Sequence, residues 1–310
     1  MSASLIVLLI IAVSVIIYTA ICFMFSNFML YSHRQPITRS PKDYGLEYCN
    51  IEFKSADGIM LKGWLIPARS EKLIIMTHPF TFNRHGFLVK NQGLMTRLRP
   101  DVDLLKTAQA LNHQGYSVLM FDFRNHGESA TGVTGIGLSE YQDIAGALDY
   151  IRSQDGLRSK AVGLVSFCMG ANASIIGISK CRENFSGVKC LVAIQPVSIG
   201  IFMDHYARKT YTPLGLVLLP LIDRICRWRG GFAFKQMSPL AFCKDLNIPT
   251  FYIQAKTDPW TDLTDVKGFY ESTPASKELW IIEDKMGRFD AYNYVGEHPE
   301  KIISFLNKYL

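Results

Sequence analysis

The arrangement of apolar and polar positions divides the chain into stretches with different periods. Residues 5–25 are continuously apolar and carry no charge, long enough as one helix to cross a hydrocarbon core of about 30 Å. Residues 32–46 turn polar, with Pro36 and Pro41, and read as a juxtamembrane linker. Residues 48–53 and 59–66 flank Ala56-Asp57-Gly58, and an Asp-Gly tip between alternating runs predicts a β-hairpin. Residues 72–77 form a short buried strand that runs into His78-Pro79-Phe80.

Strand and helix patterns then succeed one another. Asp101 is placed to cap a helix with Leu104, Leu105, Ala108 and Leu111 on its apolar face, and Gly115 stops it. Residues 116–123 read as a strand, and Ser139 with Gln142 as a capping box for a helix bearing Tyr141, Ile144, Leu148 and Ile151. Further strands are predicted over 161–165, 188–194, 249–255 and 278–283, with helices from Met169, near 265–271 and over 299–309. Repeated units of this length imply an α/β fold, a mostly parallel sheet with helices on both faces. Residues 197–240 interrupt the alternation with an apolar stretch at 212–222, broken by Pro213 and Pro220 and followed by Arg224, Arg227, Trp228 and Arg229. Such an insertion suits a lid, a surface that dips into a membrane interface, or an ordinary core helix.

Composition sharpens the reading of the N-terminus. No Lys or Arg precedes the 5–25 run, and it ends in Cys22-Phe23-Met24-Phe25 rather than at a small-residue cleavage site, which favours an uncleaved membrane anchor over a secretory signal peptide. Arg34, Arg39 and Lys42 follow the run, so the positive-inside rule places the body of this single-pass protein at the cytoplasmic face of the cell membrane. The seven cysteines are an odd number without framework or metal-site spacing, as suits a reducing compartment, and no metal or other cofactor is expected. The net charge of +6 is not gathered into a run, which speaks against a nucleic-acid partner. At 310 residues the chain has room for one large domain or two small ones, here read as one domain over 47–310 with the insertion inside it, after the anchor at 1–31 and the linker.

The candidate chemistry centres on Ser166-Phe167-Cys168-Met169-Gly170, where a β-branched run meets a helix of small residues. A small-x-nucleophile-x-small pattern is the mark of a sharp strand-to-helix turn that holds its central residue in a strained conformation. The helix beginning at Met169 aims free N–H groups at the Cys168 sulfur and favours negative charge there. Cys168 is therefore the candidate nucleophile; a buried structural cysteine is the alternative, since cysteine is among the most buried residue types.

Taken together, His78-Pro79-Phe80, Asp122-Phe123-Arg124-Asn125-His126-Gly127-Glu128-Ser129 and the elbow at Cys168 resemble, in this order, the motifs of the alpha/beta-hydrolase superfamily from about Tyr48 onward. The cysteine in a Phe-Cys-Met-Gly context is similar to the dienelactone hydrolase branch, which carries Gly where this chain has Ser166. The resemblance implies an oxyanion hole from the backbone N–H groups of Phe80 and Met169. It implies an acid after the strand that follows the insertion, where Asp258 sits, with Asp262 and Asp265 nearby. The base should follow the last strand, but Arg288 stands at the expected histidine position, and a guanidinium cannot serve as a general base. His298 is the next histidine, and a loop folding back would bring it to Asp258. His78, His85 and His126 lie nearer the site by motif, though in such positions a histidine is usually structural, and His78 or Arg288 is a candidate contact for substrate or thiolate. The expected activity is cleavage of an ester or thioester of a hydrophobic acyl substrate, free or carrier-bound, through an acyl-enzyme on Cys168. Acyl transfer from the same intermediate, or a binding protein without catalysis, are the alternatives.

Overall fold

The alternating pattern closes into one eight-stranded sheet in the computed structural model, which describes residues 2–88 and 101–310. The predicted hairpin is β1 (Cys49–Lys54) and β2 (Met60–Ile66), antiparallel from Cys49↔Leu65 to Lys54↔Met60, with Gly58 at φ +90° in the turn. Gly58 is needed there because a side chain is strained at that φ. β3 (Lys72–Thr77) and, after a small antiparallel pair β4 (Gly86–Phe87) and β5 (Val102–Asp103), helix α2 (Leu104–His113) and β6 (Ser117–Phe121) build the centre. α3 (Tyr141–Ser153), β7 (Ala161–Phe167), α4 (Met169–Lys180), α5 (Arg182–Phe185) and β8 (Val188–Ile194) follow. The sheet runs β1-β2-β6-β3-β7-β8 and is parallel from β6 outward; β9 (Thr250–Ala255) and β10 (Lys277–Ile282) complete it. β3 and β7 lie in the middle, where Leu73, Ile74, Ile75, Leu164 and Val165 are fully buried, the unbroken apolar runs expected of strands covered on both faces.

Two helix starts differ from the sequence reading. Asp103, not Asp101, caps α2 by accepting a hydrogen bond from Leu105 N–H. Ser139 and Gln142 form no capping box: α3 begins after Glu140, whose carboxylate accepts from the backbone N–H of Gly135 and Gly137 and so orders the preceding loop. The insertion is a single long helix α6 (Ile199–Trp228), which continues through Pro220, followed by α7 (Leu240–Cys243) and, after β9, α8 (Leu263–Ser272). A helix absent from the sequence reading, α9 (Arg288–Glu297), follows β10 and precedes α10 (Glu300–Tyr309).

Ahead of the sheet stands α1 (Ala3–Leu30), with a mean hydropathy of 3.0 in its most apolar stretch, of which 6% is buried. By length and composition it can cross a membrane. Its C-terminal part is docked: Cys22, Ser26, Met29 and Leu30 are buried, and Tyr18 donates through its hydroxyl to the Val217 carbonyl of α6 at 2.9 Å. The following linker is tied down as well. Asn83 donates to the carbonyls of Gln35 and Pro36, Arg34 donates to the Gly127 carbonyl at 3.1 Å, and Arg39 pairs with Asp103 at 3.1 Å.

Candidate active site

The turn between β7 and α4 places Cys168 at φ +51°, ψ −108°, a conformation that a side-chain-bearing residue holds only when its surroundings enforce it. They do so from both sides. The Cys168 N–H donates to the Ile194 carbonyl at 2.8 Å, and the Cys168 carbonyl accepts the first helical bond from Asn172 N–H at 3.0 Å. Gly170 has no room for a side chain, since a Cβ there would lie 2.2 Å from Thr77 Oγ1. Ser166 is buried and shares a 2.8 Å hydrogen bond with Ser174, which accommodates its hydroxyl where the dienelactone hydrolases have Gly.

Cys168 is 8% exposed and opens onto an apolar cavity of about 480 Å³. Its wall comes from four parts of the chain: Phe80 and Thr81 after β3, Met24 and Phe28 of α1, Phe202, Leu218 and Ile222 of α6, and Trp260, Phe289 and Tyr292 near the sheet's carboxyl end. Among the described residues, the titratable groups on that wall are Cys168, Tyr206, Arg288 and Tyr292.

Arg288 occupies the place between Cys168 and Asp258. Its guanidinium is 2% exposed and donates to Asp258 Oδ2 at 2.5 Å and to the Gln195 carbonyl, while the Gln195 amide donates back to the Arg288 carbonyl at 2.8 Å. Gln195 is itself held at φ +49° at the end of β8. Burial opposes the guanidinium charge, but Tyr292, Cys168 and Asp258 together raise its pKa well above the ordinary value, so it stays a cation. Asp258 also accepts from Thr261 Oγ1 at 2.7 Å, Trp260 N–H at 3.0 Å and Gln254 Nε2 at 3.3 Å. Tyr292 lies four residues after Arg288, hence on the same face of α9. Its buried hydroxyl faces Cys168 without an aligned hydrogen bond, and burial, despite Arg288, keeps it a neutral phenol.

The structure does not bring His298 to Asp258. Because α9 begins at Arg288, the ten residues Arg288–Glu297 carry the chain about 15 Å along the helix axis. His298 ends up exposed, its ring 4.4 Å from that of Tyr294, in a polar groove with Trp280 and Lys301. His78 does not reach the cavity either: its Nδ1 is 2.7 Å from the Pro79 carbonyl and its Nε2 accepts from Phe123 N–H at 3.0 Å. Burial pushes its pKa down to about 3. His126, likewise pushed down to about 3 by burial, accepts from Thr81 N–H at 3.3 Å, and His85 faces the Pro36 carbonyl. All three histidines order the loops around the site. Of the other carboxylates, Asp262 caps α8 and Asp265 accepts from Ser198 N–H and Oγ, so both serve local structure. Phe80 lines the cavity, and Met169, first residue of α4, has no carbonyl one turn back within the helix to engage its N–H.

Sequence reasoning missed Gln195, Tyr292, Trp260 and the contribution of α1. Tyr292 could have been found from its spacing to Arg288 had a helix been predicted there. Gln195 gave no signal beyond following a buried strand.

No family model matches the chain. It is 26% identical over 235 residues to the uncharacterized protein YqkD of Bacillus subtilis, a match spanning 74% of this chain and 70% of that protein. Among solved structures, the Pyrococcus furiosus esterase Pf2001 superposes with a TM-score of 0.69 at 24% identity, over 91% of this chain and 98% of that one. The alpha/beta hydrolase GrgF from Penicillium sp. sh18 does so with a TM-score of 0.57 at 14% identity, over 85% of this chain and 99% of its own. The sheet order, the strained elbow and these likenesses lead to one conclusion about architecture: the chain has the alpha/beta-hydrolase fold.

Proposed function

We propose that the protein cleaves an ester or thioester of a hydrophobic acid through an acyl intermediate on Cys168, with its catalytic domain at the cytoplasmic face of a membrane in which residues 5–25 are anchored. The observation that carries this reading is a strained elbow cysteine opening onto a 480 Å³ apolar cavity with a buried guanidinium beside it. The sulfur, its negative charge favoured by Arg288 and the N-terminus of α4, attacks the acyl carbonyl carbon and forms an S–C bond. The N–H groups of Met169 and Phe80 hold the oxyanion. On collapse the C–O or C–S bond to the leaving group breaks, and the departing alkoxide or thiolate takes up, from solvent, a proton equivalent to that lost by Cys168. Water then attacks the thioester and releases the acid, regenerating the thiol.

A second reading rests on Arg288 standing where a histidine would activate that water. A cation cannot take its proton, so the acyl group persists on Cys168 until a better nucleophile, an alcohol, amine or thiol, takes it: acyl transfer. Both readings are tested by incubating the full-length protein in nanodiscs with activated esters of short and long acids and following intact mass. Wild type should gain one acyl group and Cys168→Ala none; turnover retained by Cys168→Ala overturns the assignment. If transfer is the physiological outcome, the adduct outlives a hydrolase's turnover and an added acceptor discharges it. In that case Arg288→His should speed discharge into water by roughly a hundredfold or more, the scale of a general base.

A further inference from the structure

The cavity at Cys168 has a wall that hydrolase chemistry does not require, the C-terminal part of α1. Met24 and Phe28 line the cavity, yet their side chains are also on the outside of the molecule, 61% and 43% exposed. They sit where α1 runs along α6, opposite Leu218, Leu219 and Ile222. The seam between the two helices is therefore a mouth. Phe28 also touches the turn that carries the Phe80 N–H, with ring centroids 5.8 Å apart.

The length of α1 sets the level of this mouth relative to a bilayer. Tyr18 hydrogen-bonds Val217, Cys22 meets the Leu218 carbonyl, and Arg229 reaches Ser26 and Asn27, so α1 lies along α6 from Tyr18 onward. The free part, residues 3–17, rises about 22 Å at 1.5 Å per residue, short of the roughly 30 Å of a hydrocarbon core. The remaining 8 Å or so must come from about five further residues, the stretch already packed on Val217 and Leu218. If α1 spans a membrane, the middle of α6 is then immersed in the near leaflet, and Met24 lies close to the boundary between acyl chains and headgroups. The composition of α6 fits that depth. Val217 beside Tyr18 is 58% exposed, and toward the C-terminal ends of both helices stand Arg224, Arg227, Arg229 and the 78% exposed Trp228, the basic and tryptophan residues that favour the headgroup level.

We infer that the cavity is loaded laterally from the bilayer: α1 and α6 form a doorway through which one acyl chain of a membrane-resident lipid ester enters, bringing its carbonyl to Cys168. This rests on the Cys168 acylation reading, to which it adds the substrate class and the route. The occupant is lipid, because a mouth at that level adjoins the acyl chains and ester carbonyls at the edge of the hydrocarbon core.

The test uses full-length protein in phosphatidylcholine vesicles containing a phosphatidylcholine whose acyl chain carries a diazirine, with labelled residues mapped after irradiation. Label is expected on Leu5–Ile17 and also on Met24, Phe28 or Leu219. Met24→Trp should lower the cavity label at least fivefold, whereas Val217→Trp, on the exposed side of α6, should leave it. In parallel, Cys168 acylation is followed by mass with a water-soluble acetate ester and with the lipid. Label confined to residues 5–17, with acetate still acylating Cys168, overturns the doorway and leaves the nucleophile standing. Cavity label without acylation by either ester keeps the doorway and overturns the Cys168 reading. Absence of label from both helices, with the protein failing to float with vesicles, overturns the lipid assignment and makes this face a protein-covered surface.

Discussion

At the scale of residues, the site turns on Arg288. A histidine between an acid and a thiol alternates between donor and acceptor, whereas a guanidinium only donates, so this arrangement can hold an anion on sulfur but cannot shuttle a proton. The expected outcome is specific. Arg288→Ala should slow Cys168 alkylation at neutral pH, because a buried positive charge beside the attacking sulfur has been removed, while His298→Ala, in a separate exposed groove, should leave the rate unchanged. Iodoacetamide labelling rates measure both; an equal change in the two variants would remove Arg288 from its proposed role. The same substitution strands the buried Asp258 carboxylate, and removing one partner of such a pair commonly costs about 3–5 kcal/mol, so labelling is compared well below each variant's unfolding temperature.

At the scale of elements, the elbow and α9 do the positioning. β7 and α4 can approach only because Gly170 is bare: a Cβ there would be 2.2 Å from Thr77 Oγ1 and 2.8 Å from Thr77 Cβ. Gly170→Ala should therefore destabilise the protein by about 1–3 kcal/mol, the usual scale of overpacking, read as a lower thermal midpoint, and should misplace Cys168 enough to slow its acylation. An unchanged midpoint would mean that Thr77 yields freely. α9 matters in a different way. By starting at Arg288 it points Arg288 and Tyr292 at Cys168, and by running on to Glu297 it carries His298 away.

At the scale of the molecule, acidity acts on the fold as a whole. His78 and His126 are buried neutral, each with its pKa pushed down to about 3 by burial, whereas an unfolded chain protonates them near 6.5. Between those values the unfolded state binds more protons, so each ring contributes stability at neutral pH that is lost as pH falls through 6.5. Asp143, raised to about 7 by burial although Arg124 opposes it, contributes with the opposite sign over the upper part of that window. A variant isolates the histidine effect: His126→Gln, which keeps an acceptor for Thr81 N–H, should flatten the fall of stability between about pH 6 and 4 by up to ~1.4 kcal/mol per pH unit relative to wild type. Denaturant titrations at several pH values check it, and identical slopes would mean that His126 protonates in the fold. The proposed orientation has its own test. Protease added to intact cells should spare the hydrolase domain, whereas protease added to inverted vesicles should digest it; digestion in intact cells would reverse the topology.

Local chemistry was enough to determine much of this protein. Period and turn residues were enough for the hairpin at Asp57-Gly58, the central strands, the charge-free helix and the strained strand-to-helix turn at Cys168, because each is specified by neighbours a few residues apart. Where Asp258 and Arg288 sit in the chain was also legible, through the order of motifs. That Arg288 and not His298 stands between Asp258 and Cys168 was decided by tertiary structure, because it depends on α9 starting at Arg288 and packing against the end of the sheet. The start of α3 was decided the same way, since Glu140 bonds the loop at Gly135 and Gly137 instead of leaving Ser139 to cap. Above all, the apolar run of 5–25 predicts a helix long enough to cross a membrane but names no partner for its last turns. Its last turns become the wall of a cavity only when α6, nearly two hundred residues later, folds alongside them, and no local pattern carries a contact between segments so distant in the chain.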